Sequence, residues 1–348
     1  MAKIIRVVTF LSVAFSLFRV EGAALASRNS RPARVQKTVP LRASLSKKPA
    51  AWRRVVKRIS HLGRTKSGSI LGRKSDSGVF VSRLSLKFPG YLKGHKLFGG
   101  VIVPAAAYVD SLALAVADAT ENGKVFLKQV SVSQPLWLEP GQIETVTTSA
   151  EIPTGRVDLS SSAAEKPHSR AKIGVLSEFP QGSFQPPGLP STWRGKKVSR
   201  FALYRYFKKK FGLTYSGPFR SLRKIKVDGE TATAVLPISS RLNMEEHAFH
   251  PALLDSAFHL VAAIRFLQGG DAMTAIPVRF PKVWVDTGVK LKKGDVVVAK
   301  LAITDMGVEQ KGSKLKFDLW IGTSAGTPLV MMKDATLSRV TAEDLKRN

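Results

Sequence analysis

The chain has 348 residues, 44% of them hydrophobic, and a formal net charge of +30 from 55 Lys and Arg against 25 Asp and Glu. It holds no cysteine, which excludes disulfides, thiolate nucleophiles and Cys-based zinc sites. The charge first suggests nucleic acid or an anionic membrane. Yet about 18 of the basic residues and a single acid, Glu21, fall within residues 1–75, and the chain carries no recognisable nucleic-acid reader motif, so nucleic-acid binding is not expected.

In chain order, residues 1–6 are a short basic start and residues 7–18 an apolar run, too short to span a bilayer and right for a signal sequence. Ala24-Leu25-Ala26 fits a signal-peptidase site, giving a signal peptide over 1–26 and no stable membrane span in the mature protein. Residues 27–66 are free of Asp and Glu and rich in Arg, Lys and Ser, a transit-like or disordered leader. Together the two segments resemble the bipartite presequences that direct proteins to complex plastids, with the secretory pathway as the alternative destination.

From about residue 67 the pattern is globular. Residues 79–86 alternate as a strand, and 104–118 read as a helix opened by Pro104. Strands are expected at 125–132, 142–152 and 172–177, followed by a Pro/Gly-rich connector at 182–188. The second half repeats the scheme. It shows a basic helix at 200–211, a hairpin of 222–227 and 231–238 around Asp228-Gly229, and a long apolar helix at 251–267. Strands follow at 283–286, 296–303, 315–321 and 329–340. Each half is strands around one long apolar helix, so the expected class is α+β, a double hotdog with subdomains at 67–185 and 186–343.

Two short segments carry the chemistry. His95 stands just before a turn, Gly99-Gly100, and the apolar helix that Pro104 opens. Asp255 lies inside an apolar helix, where an unpaired carboxylate is expensive and some special arrangement is required. A base and a buried acid on hydrophobic elements are equipment for moving protons on an apolar substrate. His259, four residues after Asp255, shares its helical face. His247-x-x-His250 invites a metal reading but has no convincing third ligand nearby, and no metal is expected.

At these residues the chain resembles the dehydratase domain of polyketide synthases and animal-type fatty acid synthases. Its first motif, His-x-x-x-Gly-x-x-x-x-Pro, is matched by His95, Gly99 and Pro104; its second, His-Pro-Ala-Leu-Leu-Asp-x-x-x-Gln/His, by His250 through His259. Tyr215-Ser216-Gly217-Pro218-Phe219 is similar to a Tyr-Gly-Pro-x-Phe segment, Ile276-Pro277-Val278 to a Leu-Pro segment, and Ile70 to Arg73 to the family's opening. Ala105 and Ser216 stand where the family usually has glycine.

The resemblance covers about residues 67–342 and implies loss of water from a 3-hydroxyacyl thioester to give a 2-enoyl thioester. It assigns the base to His95 and the acid to Asp255, whose apolar surroundings favour a neutral carboxyl. It places the donor for the thioester oxygen at Gly99 or Gly100, aided by the helix start near Pro104. Tyr215 would orient the leaving hydroxyl and His259 the carboxyl. No cofactor is implied, because the substrate arrives on the phosphopantetheine arm of an acyl carrier protein. The chain is expected to be free-standing, with the carrier and other synthase components supplied in trans. Lys208, Lys209, Lys210 and Arg220 are the surface candidates for an acidic carrier. A product-template-like aldol cyclase and a non-catalytic carrier-binding scaffold are the alternatives on this fold.

Overall fold

A computed structural model of the chain describes residues 68–162, 164–174, 179–180, 191–240, 242–269, 274–307, 312–341 and 343–345. The expected leader, the expected connector at 182–188 and the end of the expected 172–177 strand lie outside the described residues.

Two buried helices organise the body. Helix α1, Ala105–Thr120, is apolar on nearly every side, and its residues from Ala105 to Ala117 are all buried. A helix apolar all round has to be enclosed. The enclosing strands are β1 (Arg73–Lys74), β2 (Phe80–Leu84), β5 (Lys124–Val132), β7 (Glu144–Glu151), β8 (Arg156–Ser161) and β9 (Ser169–Ile173), with β3 (His95–Leu97), β4 (Gly100–Ile102) and β6 (Trp137–Leu138) forming part of a smaller sheet. In the second half, β10 (Lys196–Lys197), β12 (Arg223–Asp228), β13 (Thr231–Pro237), β14 (Thr274–Asp286), β15 (Val296–Asp305), β16 (Lys314–Thr323) and β17 (Pro328–Val340) wrap the third helix in chain order, α3, Pro251–Gln268. Residues Pro251 to Ile264 of α3 are buried. Helix α2, Arg200–Phe211, is amphipathic instead: Leu203, Tyr204, Phe207 and Phe211 face inward, and the exposed Lys208, Lys209 and Lys210 face out.

The large sheet runs β1-β2-β7-β8-β9-β5-β14-β17-β16-β15-β13-β12-β10. It is antiparallel throughout, and its two halves join where β5 pairs with β14. The fold is the expected double hotdog, two curved sheets fused edge to edge, each around a central helix. A second seam joins the halves: β11, Leu213–Tyr215, pairs with β3 and sets Tyr215 directly opposite His95.

Most expected elements lie where the pattern puts them, with α2 matching residue for residue. Two strands differ. β9 begins at Ser169, ahead of the expected start, because its inward residues, Ser169 and Ala171, are small and carry little apolar signal. β14 begins at Thr274 rather than 283, because Pro277 and Pro281 interrupt the apolar run; the strand absorbs them with a register shift between Pro277 and Arg279.

Candidate active site

Residues 95–102 form a hairpin whose tip, Phe98 and Gly99, takes two successive left-handed conformations at φ 48° and 87°. This two-residue turn matches the twist of paired strands and needs glycine or a tolerant residue at its tip. Gly100 follows under the Trp137 ring, where a β-carbon would lie 2.8 Å from the indole. The hairpin brings the Ile102 carbonyl to 2.8 Å from His95 Nδ1. A carbonyl only accepts, so Nδ1 carries the proton, and in the neutral ring Nε2 is left with a free lone pair.

That nitrogen faces the acid. Asp255 Oδ1 on α3 lies 3.8 Å from His95 Nε2, too far for a hydrogen bond. Both side chains are buried and both line one cavity of about 340 Å³. Its walls are largely apolar, including Leu97, Ile102, Phe207, Phe258, Val261 and Ala262. It follows α3 from Asp255 to Arg265, about 15 Å at the rise of a helix, and reaches the charged residues Arg265, Arg339 and the exposed Asp344.

Asp255 Oδ2 is 3.1 Å from His259 Nε2. Burial holds the His259 imidazole below its ordinary pKa, against the pull of the neighbouring Asp255. The Tyr215 ring packs on His259 with centroids 4.0 Å apart and lies 5.5 Å from His95. Burial, then the Asp255 charge, raises the Tyr215 pKa, so this cavity-lining phenol keeps its proton. Ser216, where the family has glycine, sits at φ −143°, extended backbone open to any residue, and its N–H donates to the Gly94 carbonyl at 2.9 Å. Tyr215 is thus held without that glycine.

The structure brings together His95, Asp255, His259, Tyr215 and Pro104. Gly99 lies at the hairpin tip and Gly100 just after it, and neither is in the cavity lining, which holds Val103, Pro104 and Ala105. Arg220, expected at the surface, is half-buried with its guanidinium 4.9 Å above the Tyr204 ring. His250 caps α3, its Nδ1 accepting the Ala252 N–H at 3.1 Å, and His247 bonds Asp110 through Nδ1 at 2.6 Å.

Two contributors escape sequence reasoning. Tyr204 touches His259 Nδ1 at 3.3 Å and donates to the Phe219 carbonyl at 3.1 Å. Asp110 on α1 binds His247 and accepts the Ala248 and Phe249 N–H groups at 2.7 and 3.2 Å, latching α1 to the segment before α3. Tyr204 reads as one more core aromatic. Asp110 did leave a signal, a carboxylate inside an apolar helix, the same signal that marks Asp255.

Two models of known families match the chain. The model described as polyketide synthase dehydratase domain matches residues 69–163, and that described as polyketide synthase dehydratase N-terminal domain matches residues 182–347. The chain belongs to the polyketide synthase dehydratase family. Polyketide synthase GfsB of Streptomyces halstedii is 30% identical over 250 residues, 67% of this chain and 4% of GfsB. The highly reducing polyketide synthase lcsB of Purpureocillium lilacinum is 26% identical over 56% of this chain and 8% of its own length. The chain thus spans less than a tenth of either relative. Among solved structures, the dehydratase domain from the CurJ module of the curacin polyketide synthase superposes with a TM-score of 0.66 at 17% identity, covering 80% of this chain and 99% of that one. The corresponding CurF domain gives 0.61 at 20% identity over 75% and 93%. These likenesses establish the double hotdog fold.

Proposed function

We propose that this chain removes water from a 3-hydroxyacyl thioester carried on the phosphopantetheine arm of an acyl carrier protein, giving a 2-enoyl thioester for polyketide or fatty acid synthesis. One observation carries the reading: a tautomer-fixed imidazole and a carboxyl from opposite halves stand 3.8 Å apart in one apolar cavity. His95 Nε2 takes the proton next to the thioester carbonyl. The electron pair moves through the enolate and expels the 3-hydroxyl, which takes the Asp255 proton and leaves as water. Developing charge on the thioester oxygen is met at the start of α1, where Ala105 lines the cavity and the helix dipole is positive. Tyr215, protonated and in the cavity, orients the leaving hydroxyl. No cofactor is required. The exposed Lys208, Lys209 and Lys210 follow Phe207 and precede Phe211, both in the cavity wall, which supports docking of an acidic carrier close to the cavity. The leader supports delivery to a complex plastid, or else secretion; sequencing the mature N-terminus of the exported protein tests this.

The test of the reaction is mass spectrometry of a 3-hydroxyacyl carrier protein incubated with the chain. The acyl group is expected to lose one water, and His95→Ala and Asp255→Asn each to slow this by at least about a hundredfold, the scale of a lost general acid or base. An untouched 3-hydroxyacyl group, with ring closure of a poly-ketone chain instead, would favour the cyclase. Wild-type turnover in both variants overturns the site.

A further inference from the structure

Three heavy-atom contacts run in line behind the proposed acid. Asp255 Oδ2 meets His259 Nε2 at 3.1 Å, His259 Nδ1 meets the Tyr204 hydroxyl at 3.3 Å, and that hydroxyl meets the Phe219 carbonyl at 3.1 Å. The line ends on a group that can only accept. The phenol has a single proton, so its bond to Phe219 consumes it. The phenol oxygen can then meet Nδ1 only by accepting, which puts the imidazole proton on Nδ1. A neutral imidazole with its proton on Nδ1 has a bare Nε2, and a bare Nε2 can meet Oδ2 only if the carboxyl donates.

The opposite direction is one proton poorer. There the phenol turns to Nδ1, Nε2–H donates to an Asp255 carboxylate, and the Phe219 carbonyl loses the phenol proton. We propose that Tyr204 is a positioning residue which, anchored on the Phe219 carbonyl, holds the His259 proton on Nδ1 and so reserves the Asp255 oxygen facing His259 for a carboxylic acid. This rests on the dehydratase reading, in which Asp255 must be protonated to act.

The surroundings leave that direction intact. Ser256 on α3 gives its own proton to the Ala252 carbonyl at 2.7 Å, and its oxygen and the Leu222 backbone also hydrogen-bond the Tyr204 hydroxyl; whether the Phe219 carbonyl or the Ser256 oxygen takes the phenol proton, the phenol oxygen still meets Nδ1 by accepting. From β3, His95 faces the other Asp255 oxygen with Nε2, its Nδ1 proton already spent on Ile102. From β11, Tyr215 covers His259 with its ring, and from the turn at Gly217–Arg220 the Arg220 guanidinium lies over the Tyr204 ring. Burial favours both a protonated Tyr204 and an uncharged His259, as the arrangement requires.

The experiment pairs a spectroscopic and a kinetic readout. Nitrogen-15 NMR of the substrate-free wild-type protein, with histidine labelled, is expected to show His259 protonated on Nδ1, and Tyr204→Phe to move that proton to Nε2. In single-turnover dehydration, Tyr204→Phe is expected to shift the high-pH limb of the rate profile down by about one unit, so that the rate falls about tenfold on that limb and recovers toward wild type as the pH is lowered. In a His259→Gln background the same substitution should shift the limb no further. A wild-type His259 protonated on Nε2 overturns the proposal even if the variant fails to fold, and so does an unmoved limb in a folded variant. A wild-type protein that dehydrates nothing sinks the dehydratase reading and leaves the tautomer measurement standing.

Discussion

The Asp110 latch supports a quantitative prediction. Its carboxylate accepts three hydrogen bonds, from His247 Nδ1 at 2.6 Å, Ala248 N at 2.7 Å and Phe249 N at 3.2 Å. All four residues are buried. Asp110→Ala strands three buried donors, each at about 1–3 kcal/mol, so with partial relaxation the loss should be about 3–6 kcal/mol. At about 2–4 °C per kcal/mol for a body of this size, the Tm falls on the order of 10 °C. Asp110→Asn keeps an acceptor for the two backbone amides. His247 can answer the new amide by shifting its proton, so this variant should lose only about 1–2 kcal/mol. The latched segment leads into α3 and Asp255, so dehydration should fall in the same order. Thermal and urea unfolding of the three proteins measure the difference. An alanine variant within about 1 kcal/mol of wild type, or no worse than the asparagine variant, would refute the latch.

Acidification offers a second check. Burial holds His259, His250 and His168 below the ordinary histidine value, with His247 adding to the effect on His250. Between pH 7 and 5 the unfolded chain therefore binds protons the folded chain refuses: stability is full above a pH of about 6.5 and falls below it, by up to about 1.4 kcal/mol per pH unit for each group. A urea midpoint flat across that window would contradict this. Replacing Lys208, Lys209 and Lys210 together with Glu should raise KM for a carrier-bound substrate about tenfold at low salt and leave a free pantetheine thioester unaffected; equal effects on both would remove these residues from docking.

Helix α2 was legible in full because Leu203, Tyr204, Phe207 and Phe211 repeat at helical spacing between the Ser199 cap and Gly212, which is left-handed at φ 62°. The hairpin at Arg223–Asp228 and Thr231–Pro237 was legible from its turn. Strands β3, β4, β6 and β11 were not, being two or three residues long and defined by partners distant in sequence. His95 and Asp255 could be read because two motifs frame them. The turn at Gly99-Gly100 could be read as well, but a glycine that only shapes a turn and one that also bares an amide look alike in a sequence. Tyr204 was hidden for a related reason. Its hydroxyl acts only because the fold sets it between the Phe219 carbonyl and His259.

The basic charge carried outside residues 1–66 has a second physical use, which bears on how docking should be tested. Among the described residues the 13-stranded sheet ends in two edge strands, and a sheet edge offers a row of backbone groups that invites another chain. Here the edge strands are two residues long, and all four residues, Arg73, Lys74, Lys196 and Lys197, are exposed and cationic. Short, charged edges are what prevents edge-to-edge association. Neutralising these four should leave KM for the carrier unchanged and promote self-association, whereas the α2 lysines should do the reverse. The same sign of charge thus serves two ends, and its position in the fold separates them.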